Sequence, residues 1–313
     1  MKLISIILSF KNEENNIEPI VSRISETFKK ISGWDYEIVF VNDNSSDNSE
    51  KVIKKLQLNH NITLINMSRN FGVSACVMAG FKNSKGEAVV YMDTDLQDPP
   101  ELITDMLSYL EKGYDVVHTR RLKRLGEPKH KLFLTKIAYK FINFLSDIKL
   151  PIEVGDFKLI SRKALNEIIN MKEKNPYLRG LSVWVGFDQV YVDYVRQPRK
   201  EGSSKFNFFT KNPYLELIRA VTSFSSKPLY LGLVIGIFTI MISILLILYS
   251  IIIKLFNLSN TGVPSILISI SFFSGVILLK LGIISLYLSR IYDQIKNRPE
   301  YIIKSVIKPK KNY

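Results

Sequence analysis

The chain has 313 residues, of which 46% are hydrophobic, and its mean hydropathy of +0.08 is high for a purely soluble protein. Its one cysteine, Cys76, excludes an internal disulfide framework and agrees with a reducing compartment. The formal net charge is +14, but the basic residues collect beside apolar segments and no nucleic-acid-binding motif is present, so the composition favours anionic lipid headgroups over nucleic acid as the partner.

In the first 120 residues, apolar segments alternate with helical patterns. The predicted strands are Leu3–Ser9, Glu37–Val41, Ile62–Asn66, Ala88–Met92 and Asp115–Thr119. The predicted helices are Ile17–Lys30, Ser49–Leu58, Val73–Asn83 and Pro100–Lys112. This spacing predicts βαβ units and an α/β domain with a mostly parallel sheet covered on both faces.

The next segment, residues 120–145, mixes cations with apolar side chains. Two interpretations remain open for it: a surface helix lying against a membrane, or ordinary packing with solvated lysines. Further strands are predicted at Val154–Ile160 and Val190–Arg196, and Asn207–Ser226 is predicted to be an amphipathic connection.

Two long apolar runs follow near the end of the chain. Leu229–Ile253 carries no charge, and Pro264–Leu288 is interrupted only by Lys280. Each is long enough to cross a hydrocarbon layer about 30 Å thick, so a two-span membrane hairpin is favoured over a buried helical hairpin. Because an ammonium group is costly in lipid, Lys280 is expected to turn toward a helix interface or to snorkel; a role in holding a lipid phosphate is an alternative.

Basic residues flank the two runs asymmetrically. The turn between the runs offers only Lys254, whereas the outer flanks are rich in basic residues: Lys205, Lys211, Arg219 and Lys227 before the first run, and Arg290, Lys296, Arg298, Lys304, Lys308, Lys310 and Lys311 after the second. The positive-inside rule therefore predicts a multi-pass membrane protein with both termini in the cytosol.

The segment Ala88–Asp95 is the strongest chemical signal, because an apolar strand ends there in two carboxylates separated by one residue. Alternate side chains of a strand lie on one face, so Asp93 and Asp95 are predicted to share a divalent cation, Mg²⁺ or Mn²⁺. Such an ion keeps positions open for phosphate oxygens. A lone Asp-X-Asp is also compatible with a loop whose acidic residues face water.

Two more polar loops are predicted at the same end of the sheet. Asp43 follows the second strand in a turn rich in Asn, Asp and Ser, and the segment Ser9–Glu13 closes the first strand. A carboxylate at this edge can accept hydrogen bonds from a base or a ribose. Together with Asp93 and Asp95, these loops predict a binding site for a nucleotide sugar.

Several longer motifs resemble those of the inverting family-two glycosyltransferases, within them the polyprenyl-phosphate glycosyltransferases. The matching segments are Phe40–Asp47, Ser68–Gly72, Tyr91–Glu101, Gly155–Arg162, Arg196–Arg199, Gly202–Phe206, Leu281–Ile284 and Arg290–Tyr292. The resemblance covers nearly the whole chain and implies a GT-A type, Rossmann-like fold followed by a two-helix membrane anchor. It divides the chain into a catalytic domain (1–206), a juxtamembrane connection (207–228), two transmembrane helices (229–289) and a basic cytosolic tail (290–313).

The same resemblance implies roles for single residues. Asp43, Glu13 and Asp93 would contact the nucleotide, and Asp93 with Asp95 would hold the metal against its diphosphate. Asp156 matches the position of the catalytic base, although it is as well suited to orienting the acceptor. Arg199 and Lys205 match a basic loop that closes on phosphate. Departures from the family pattern are Asn42 in place of the first acid of an Asp-Asp pair, and Leu286 where many relatives have Glu.

The implied activity is transfer of one hexose, glucose from UDP-glucose as the first choice, to undecaprenyl phosphate with inversion, at a bacterial cytoplasmic membrane. Mannose, an N-acetylhexosamine or an aminoarabinose donor remain open. A processive polysaccharide synthase is disfavoured because two spans offer no obvious channel for a polymer, and an inert membrane scaffold is disfavoured by the intact acidic residues. The sequence leaves open whether the protein is a homo-oligomer.

Overall fold

The computed structural model describes residues 1–124, 140, 142–149, 153–196, 211–256 and 262–309. The strands are β1 (Lys2–Phe10), β2 (Trp34–Asn42), β3 (Ile62–Met67), β4 (Ala88–Asp93), β5 (Val116–Arg124), β6 (Val154–Ser161), β7 (Gln189–Arg196) and β8 (Ile303–Ile307). The helices are α1 (Glu14–Phe28), α2 (Ser49–Leu56), α3 (Val73–Asn83), α4 (Ile103–Glu111), α5 (Arg162–Asn170), α6 (Leu178–Trp184), α7 (Lys211–Phe224), α8 (Lys227–Leu255) and α9 (Val263–Ile295).

Within the described residues, the strands form one sheet in the order β7-β5-β6-β4-β1-β2-β3-β8. Strands β3, β2, β1 and β4 run parallel to one another, β6 is antiparallel to both β4 and β5, and β8 is antiparallel to β3. The predicted α/β fold with a mostly parallel sheet is therefore confirmed, since helical crossovers join the parallel strands.

The strands carry apolar side chains on both faces, as a sheet covered by helices on two sides requires. On β1, Ile7 belongs to one core cluster while Ile6 and Leu8 belong to the other. Helices α1, α2 and α4 cover the face of Ile6, and α3, α5, α6 and the end of α7 cover the face of Ile7. The sheet is therefore buried on both faces, and the polar loops described below lie at the ends of its strands.

Strand β5 is longer than predicted. The sequence predicts that this strand ends at Thr119 and that Arg120–Arg124 begin a basic segment, but the structure includes these residues in β5. Arg120 pairs with Asp193 of β7, with Nε 2.6 Å from Oδ1, which gives one cation of the run a partner across the sheet. In the rest of this segment, residues 125–139 and 141 lie outside the described part of the chain, and Ile142 and Leu145 are buried in the same core cluster as Ile7.

Two helices in the described part of the chain are long and apolar enough to cross a membrane, within Lys227–Ile253 and Ile268–Ile295, and neither is buried inside the protein. They are the two predicted apolar runs. Lys280 turns toward α8, where a Cβ on Gly236 would overlap its ammonium group. The expectation that this lysine faces a helix interface is therefore confirmed.

The chain returns to the sheet after α9. The sequence predicts a basic tail over residues 290–313, whereas the structure forms β8 there. On β3, Ile65 is the partner of Val306 and Asn66 is the partner of Ser305. The return segment also accepts a hydrogen bond at the Ile307 carbonyl from Gln57 Nε2, over 3.0 Å. Both ends of the pair of apolar helices are consequently joined to the same domain.

Candidate active site

Polar loops follow β1, β2 and β4 at one end of the sheet. Ser9 lies beside Asp93, and Phe10 lies beside Asn42, in the parallel pairings of β1 with its two neighbours. Because parallel strands end at the same edge, the loops after these strands lie next to one another, as the sequence analysis expected. Strand β6 brings Asp156 to this edge from the opposite direction, since Lys158 pairs with Tyr91 in the antiparallel register.

The loops after β1 and β2 are held together by hydrogen bonds. Asn12, which has a positive φ of 56°, accepts from the Ser46 amide at 2.8 Å, and Asp47 accepts from the Glu14 amide at 3.2 Å. Glu13 is half-buried in this loop and accepts from Asn16 Nδ2 at 2.7 Å. The structure thus places Glu13 beside the turn that carries Asp43.

The carboxylate of Asp43 organises the loop before α3. It accepts from Asn70 Nδ2 at 2.7 Å, from the Phe71 amide at 2.7 Å and from the Gly72 amide at 3.0 Å, and the residue is 6% exposed. Gly72 has a φ of 92°, a conformation that glycine adopts without strain. Asp43 therefore sets the shape of the loop at this edge, whatever else it contacts.

The departure at Asn42 has a structural reason. Its Nδ2 donates to Asn66 Oδ1 at 2.9 Å, and its Oδ1 accepts from the Ser45 amide at 2.8 Å. An aspartate can accept hydrogen bonds but, when ionised, cannot donate one. Asparagine at this position therefore donates a hydrogen bond to β3 and accepts one from the turn that carries Asp43.

Asp93, the last residue of β4, is half-buried and accepts from the Tyr91 hydroxyl at 3.2 Å. That hydroxyl also lies 3.4 Å from Ser9 Oγ. Burial, reinforced by the nearby charges of Asp93 and Asp156, raises the pKa of Tyr91 well above its ordinary value. Tyr91 therefore stays protonated and donates a hydrogen bond to Asp93.

Asp95 lies in a turn, because β4 ends at Asp93. The alternation of side chains along a strand, from which the sequence analysis placed Asp93 and Asp95 on one face, therefore does not set the direction of Asp95. The residue is 9% exposed, and its Oδ1 accepts from the Gln97 amide at 3.2 Å. The intervening Leu96 has a φ of 63°, a costly conformation for a residue with a side chain, and such strain is concentrated at functional sites.

Carboxylate oxygens are the ligands that Mg²⁺ and Mn²⁺ prefer. In the part of the chain that the structure describes, no group of three or more His, Cys, Asp or Glu side chains is arranged to hold a metal ion. Asp93 and Asp95 have the donor chemistry for such an ion, and the described residues add no third side chain of these types to complete a site.

Asp156 forms a two-point ion pair with Arg179 of α6. Arg179 Nε lies 2.8 Å from Oδ1 and Nη2 lies 2.5 Å from Oδ2. Burial disfavours the charged carboxylate, but the charge and hydrogen bonds of Arg179, with further help from Lys158 and Arg121, hold the pKa of Asp156 well below its usual range. Asp156 is therefore ionised at neutral pH and is a weak base.

Lys158 lies beneath this pair and is 3% exposed, with Nζ 2.9 Å from Ser182 Oγ. Burial lowers the pKa of Lys158 to about 8, while the charge of Asp156 opposes this change and Arg179 adds to it. On the next strand, His118 donates to or accepts from Gln189 Oε1 at 3.0 Å, and burial with the charge of Lys158 lowers the pKa of His118 to about 4. A buried lysine therefore lies next to Asp156, and a neutral histidine lies beside that lysine.

The loop after Asp95 is attached to the neighbouring strands through Asp98, which is fully buried. Tyr194 of β7 donates to Asp98 Oδ1 at 2.6 Å, and Arg121 Nε donates to the Tyr194 hydroxyl at 3.0 Å. Gly155 makes room for Arg121, since a Cβ at this position would lie 2.5 Å from the guanidinium. These contacts join the acidic loop to β5, β6 and β7.

Sequence reasoning did not identify Arg179, Lys158, Arg121 and Tyr194 as site residues. The signal for Lys158 and Arg121 was weak, because a cation inside a strand is usually solvated, and Arg179 lies in a short helix without a recognised motif. Arg199 and Lys205, predicted to close on phosphate, lie outside the described residues.

Comparison with known proteins agrees with this architecture. The chain matches Glycosyl transferase family 2 over residues 5–169. The uncharacterized glycosyltransferase YkcC of Bacillus subtilis (strain 168) is 39% identical over 306 residues, covering 96% of this chain and 93% of the relative. The SfII prophage-derived bactoprenol glucosyl transferase of Shigella flexneri is 37% identical over 304 residues, covering 96% and 97%.

One solved structure similar to this chain is glucosyl-3-phosphoglycerate synthase from Mycobacterium tuberculosis in complex with Mn²⁺, UDP and glucosyl-3-phosphoglycerate. It has a TM-score of 0.48 and 16% identity, and covers 71% of this chain and 78% of that protein. The family match and the full-length relatives establish what kind of protein this is. The chain belongs to glycosyl transferase family 2, and it is a glycosyltransferase with a GT-A fold and two apolar helices near its C-terminus.

Proposed function

We propose that this protein transfers a single glucose from UDP-glucose to undecaprenyl phosphate, with inversion at the anomeric carbon. The observation that carries this proposal is the similarity along almost the whole chain to proteins named bactoprenol glucosyl transferase, at 37% identity. The apolar helices support it as well, because they would hold the site for the nucleotide sugar next to a membrane that contains the lipid acceptor.

In the proposed reaction, a phosphate oxygen of the lipid forms a bond to the anomeric carbon, and the bond from that carbon to the diphosphate breaks. A phosphate monoester has a second pKa of about 6, so the acceptor is largely ionised at neutral pH. It therefore needs little deprotonation, which matches the low pKa of Asp156. We assign Asp156 to orienting the acceptor and balancing charge.

The larger demand is stabilising the leaving diphosphate. We assign Asp93 and Asp95 to holding a divalent cation, Mg²⁺ or Mn²⁺, which would supply Lewis-acid stabilisation of the diphosphate when bound. Arg199 and Lys205 are assigned to charge-assisted hydrogen bonds with the same phosphates. Asp43 and Glu13 lie in the loops that we assign to the nucleoside.

We further propose that the two apolar helices span the cytoplasmic membrane, with the catalytic domain and both termini in the cytosol. The return of the chain to the sheet at β8 supports this topology, since both outer ends of the helix pair are attached to one domain. The basic flanks favour the cytosolic side and would draw an anionic lipid surface toward the site. In this proposal residues 1–206 form the catalytic domain, 207–228 the connection and 229–289 the spans, and 290–313 carry the return strand.

The test is incubation of the purified full-length protein with undecaprenyl phosphate, Mg²⁺ or Mn²⁺, and in turn UDP-glucose, GDP-mannose, a UDP-N-acetylhexosamine and a nucleotide-linked aminoarabinose. Mass analysis of the lipid is expected to show one hexose from UDP-glucose, and NMR is expected to show the opposite anomer to the donor. A different sugar on the lipid overturns the choice of donor. A polymer indicates a processive synthase, and no turnover with any donor indicates a scaffold.

A further inference from the structure

Arg179 joins the site to the membrane-proximal part of the protein. It lies on α6, which packs on the last turn of α7, the helix that leads into the first apolar helix. Gly180 allows this packing, because the Phe224 ring occupies the place of its missing Cβ, and the rings of Tyr177 and Phe224 are 6.3 Å apart. Helix α6 therefore contacts both Asp156, through Arg179, and the helix that leads into the first apolar helix.

The pair of Arg179 with Asp156 is not sealed inside the protein. Their side chains remain 36% and 26% exposed, so a ligand can reach both. A guanidinium binds a carboxylate and a phosphate with the same planar, two-point geometry. Arg179 can therefore exchange one anion for the other without changing its own position.

The exchange would not leave Asp156 without positive neighbours. Lys158 and Arg121, both buried, contribute to the stabilisation of its charge. Arg179 carries one positive charge and an acceptor phosphate close to two negative charges at neutral pH, so the arriving phosphate is the stronger competitor for the guanidinium. The pair thus has the properties of a resting contact that a phosphate can displace.

We propose that Arg179 binds the phosphate of the acceptor, exchanging the Asp156 carboxylate for that phosphate when the lipid arrives. This inference rests on the proposed transfer to a lipid phosphate. It assigns the phosphate-binding group of the acceptor subsite to α6, and it gives Asp156 the task of keeping Arg179 in place while the subsite is empty. The donor diphosphate is a second phosphate source, and the experiment separates the two.

The experiment compares full-length wild-type protein with Arg179→Gln and Arg179→Lys in steady-state kinetics, varying undecaprenyl phosphate and the nucleotide sugar in turn. We expect Arg179→Gln to raise the KM for the lipid by about tenfold or more, the size expected for losing charge-assisted hydrogen bonds. The KM for the nucleotide sugar is expected to stay within about twofold of the wild-type value. The KM of Arg179→Lys for the lipid is expected to lie between those of wild type and Arg179→Gln, because an ammonium group keeps the charge but lacks the two-point geometry of the guanidinium.

The matched control is Arg120→Gln, which breaks another two-point pair, with Asp193, at 2.6 and 2.8 Å on the exposed surface of β5 and β7. It is expected to leave both KM values unchanged. A second readout is inhibition of the wild-type and Arg179→Gln proteins by farnesyl phosphate compared with farnesol. Farnesyl phosphate is expected to inhibit the wild type at lower concentration than farnesol. This difference between the two inhibitors should largely disappear in Arg179→Gln, a change that a purely structural defect would not produce.

The outcomes separate the two proposals. If the wild-type protein puts no sugar on the lipid, the proposed function is wrong. If the wild type is active and Arg179→Gln keeps the wild-type KM for the lipid, the assignment of Arg179 is wrong while the function stands. A raised KM for the nucleotide sugar together with an unchanged KM for the lipid would place Arg179 at the donor diphosphate and also overturn the inference.

Discussion

Asn66 on β3 donates a hydrogen bond from Nδ2 to the Oγ of Ser305 on β8, over 3.1 Å and a separation of 239 residues. The same Asn66 accepts from Asn42, the neighbour of Asp43, so the segment after the apolar helices is hydrogen-bonded to the edge of the candidate site. One residue lies before both apolar helices and the other after them. The pair of helices therefore begins and ends at one domain, which is the arrangement of a hairpin.

Removal of residues 301–313 is expected to destabilise the catalytic domain. The truncation removes the β8 ladder and the partly buried side chains of Tyr301, Ile303 and Ile307, which pack against the two core clusters. We expect a loss of about 2–3 kcal/mol in the free energy of unfolding, or about 5–10 °C in Tm for a domain of this size. Removal of residues 310–313 alone is the control and should leave Tm unchanged. Equal Tm values for both truncations would show that β8 adds no stability.

Asp95→Asn is expected to abolish metal-dependent transfer while the protein remains folded. The amide keeps an oxygen that can accept from the Gln97 amide, but it lacks the negative charge that attracts a divalent cation. Activity would be measured against increasing Mg²⁺ or Mn²⁺, with Tm as the measure of folding. Asp105→Asn, on the exposed side of α4, is the control and should behave as wild type. Normal turnover of Asp95→Asn would remove Asp95 from the metal site.

Asn70→Ala is expected to lower the free energy of unfolding by about 1–3 kcal/mol, because it removes one hydrogen bond to the Asp43 carboxylate. Asp43→Asn is expected to cost more, since an amide group cannot satisfy all three donors that now face the carboxylate. UDP affinity, measured by calorimetry, should fall in both variants because the loop before α3 shifts. Asn83→Ala, which removes a single side-chain hydrogen bond at the far end of α3, controls for stability alone. A fully stable Asp43→Asn protein would contradict the structural role of Asp43.

Stability is expected to fall as the pH is lowered from about 6.5 toward 4, in part because of His118. Burial lowers the pKa of His118 from 6.5 to about 4 in the folded protein, so between these values the unfolded chain binds a proton that the folded protein excludes. The contribution of neutral His118 to the free energy of unfolding is complete above pH 6.5. It decreases as the pH falls, by about 2 kcal/mol between pH 7 and pH 5.

The measurement for His118 is the free energy of unfolding at pH 7 and pH 5 in the wild type and in His118→Gln. The variant should show a pH dependence that is smaller by about 2 kcal/mol, because it lacks the titrating group. His60→Gln is the comparison, since His60 is only partly buried in the loop between α2 and β3. The same pH dependence in His118→Gln and wild type would exclude His118 as its source.

Much of the fold could be predicted because its signals are local. The β1–α4 elements were predicted with small errors at their ends, since each strand is a short apolar run bounded by polar turns and α3 begins after a glycine. The Asp93–Asp95 segment and Asp43 could be found in the same way, because acidic residues directly after buried strands mark the carboxyl edge of a parallel sheet. Strand β8 could not be predicted, because its five residues, Ile303–Ile307, are a short run between basic residues that resembles a solvated tail.

By itself, the sequence determined the parallel α/β domain, the two long apolar helices and the acidic edge of the sheet, because these depend on periodicity, length and the position of polar residues along the chain. Only the tertiary structure decided that Arg179 engages Asp156, that Asn42 and Asn66 connect to Ser305, and that Lys280 packs at Gly236. Each of these contacts joins segments distant in sequence, and its strength depends on burial and on the alignment of donor and acceptor. Those properties exist only once the sheet has assembled.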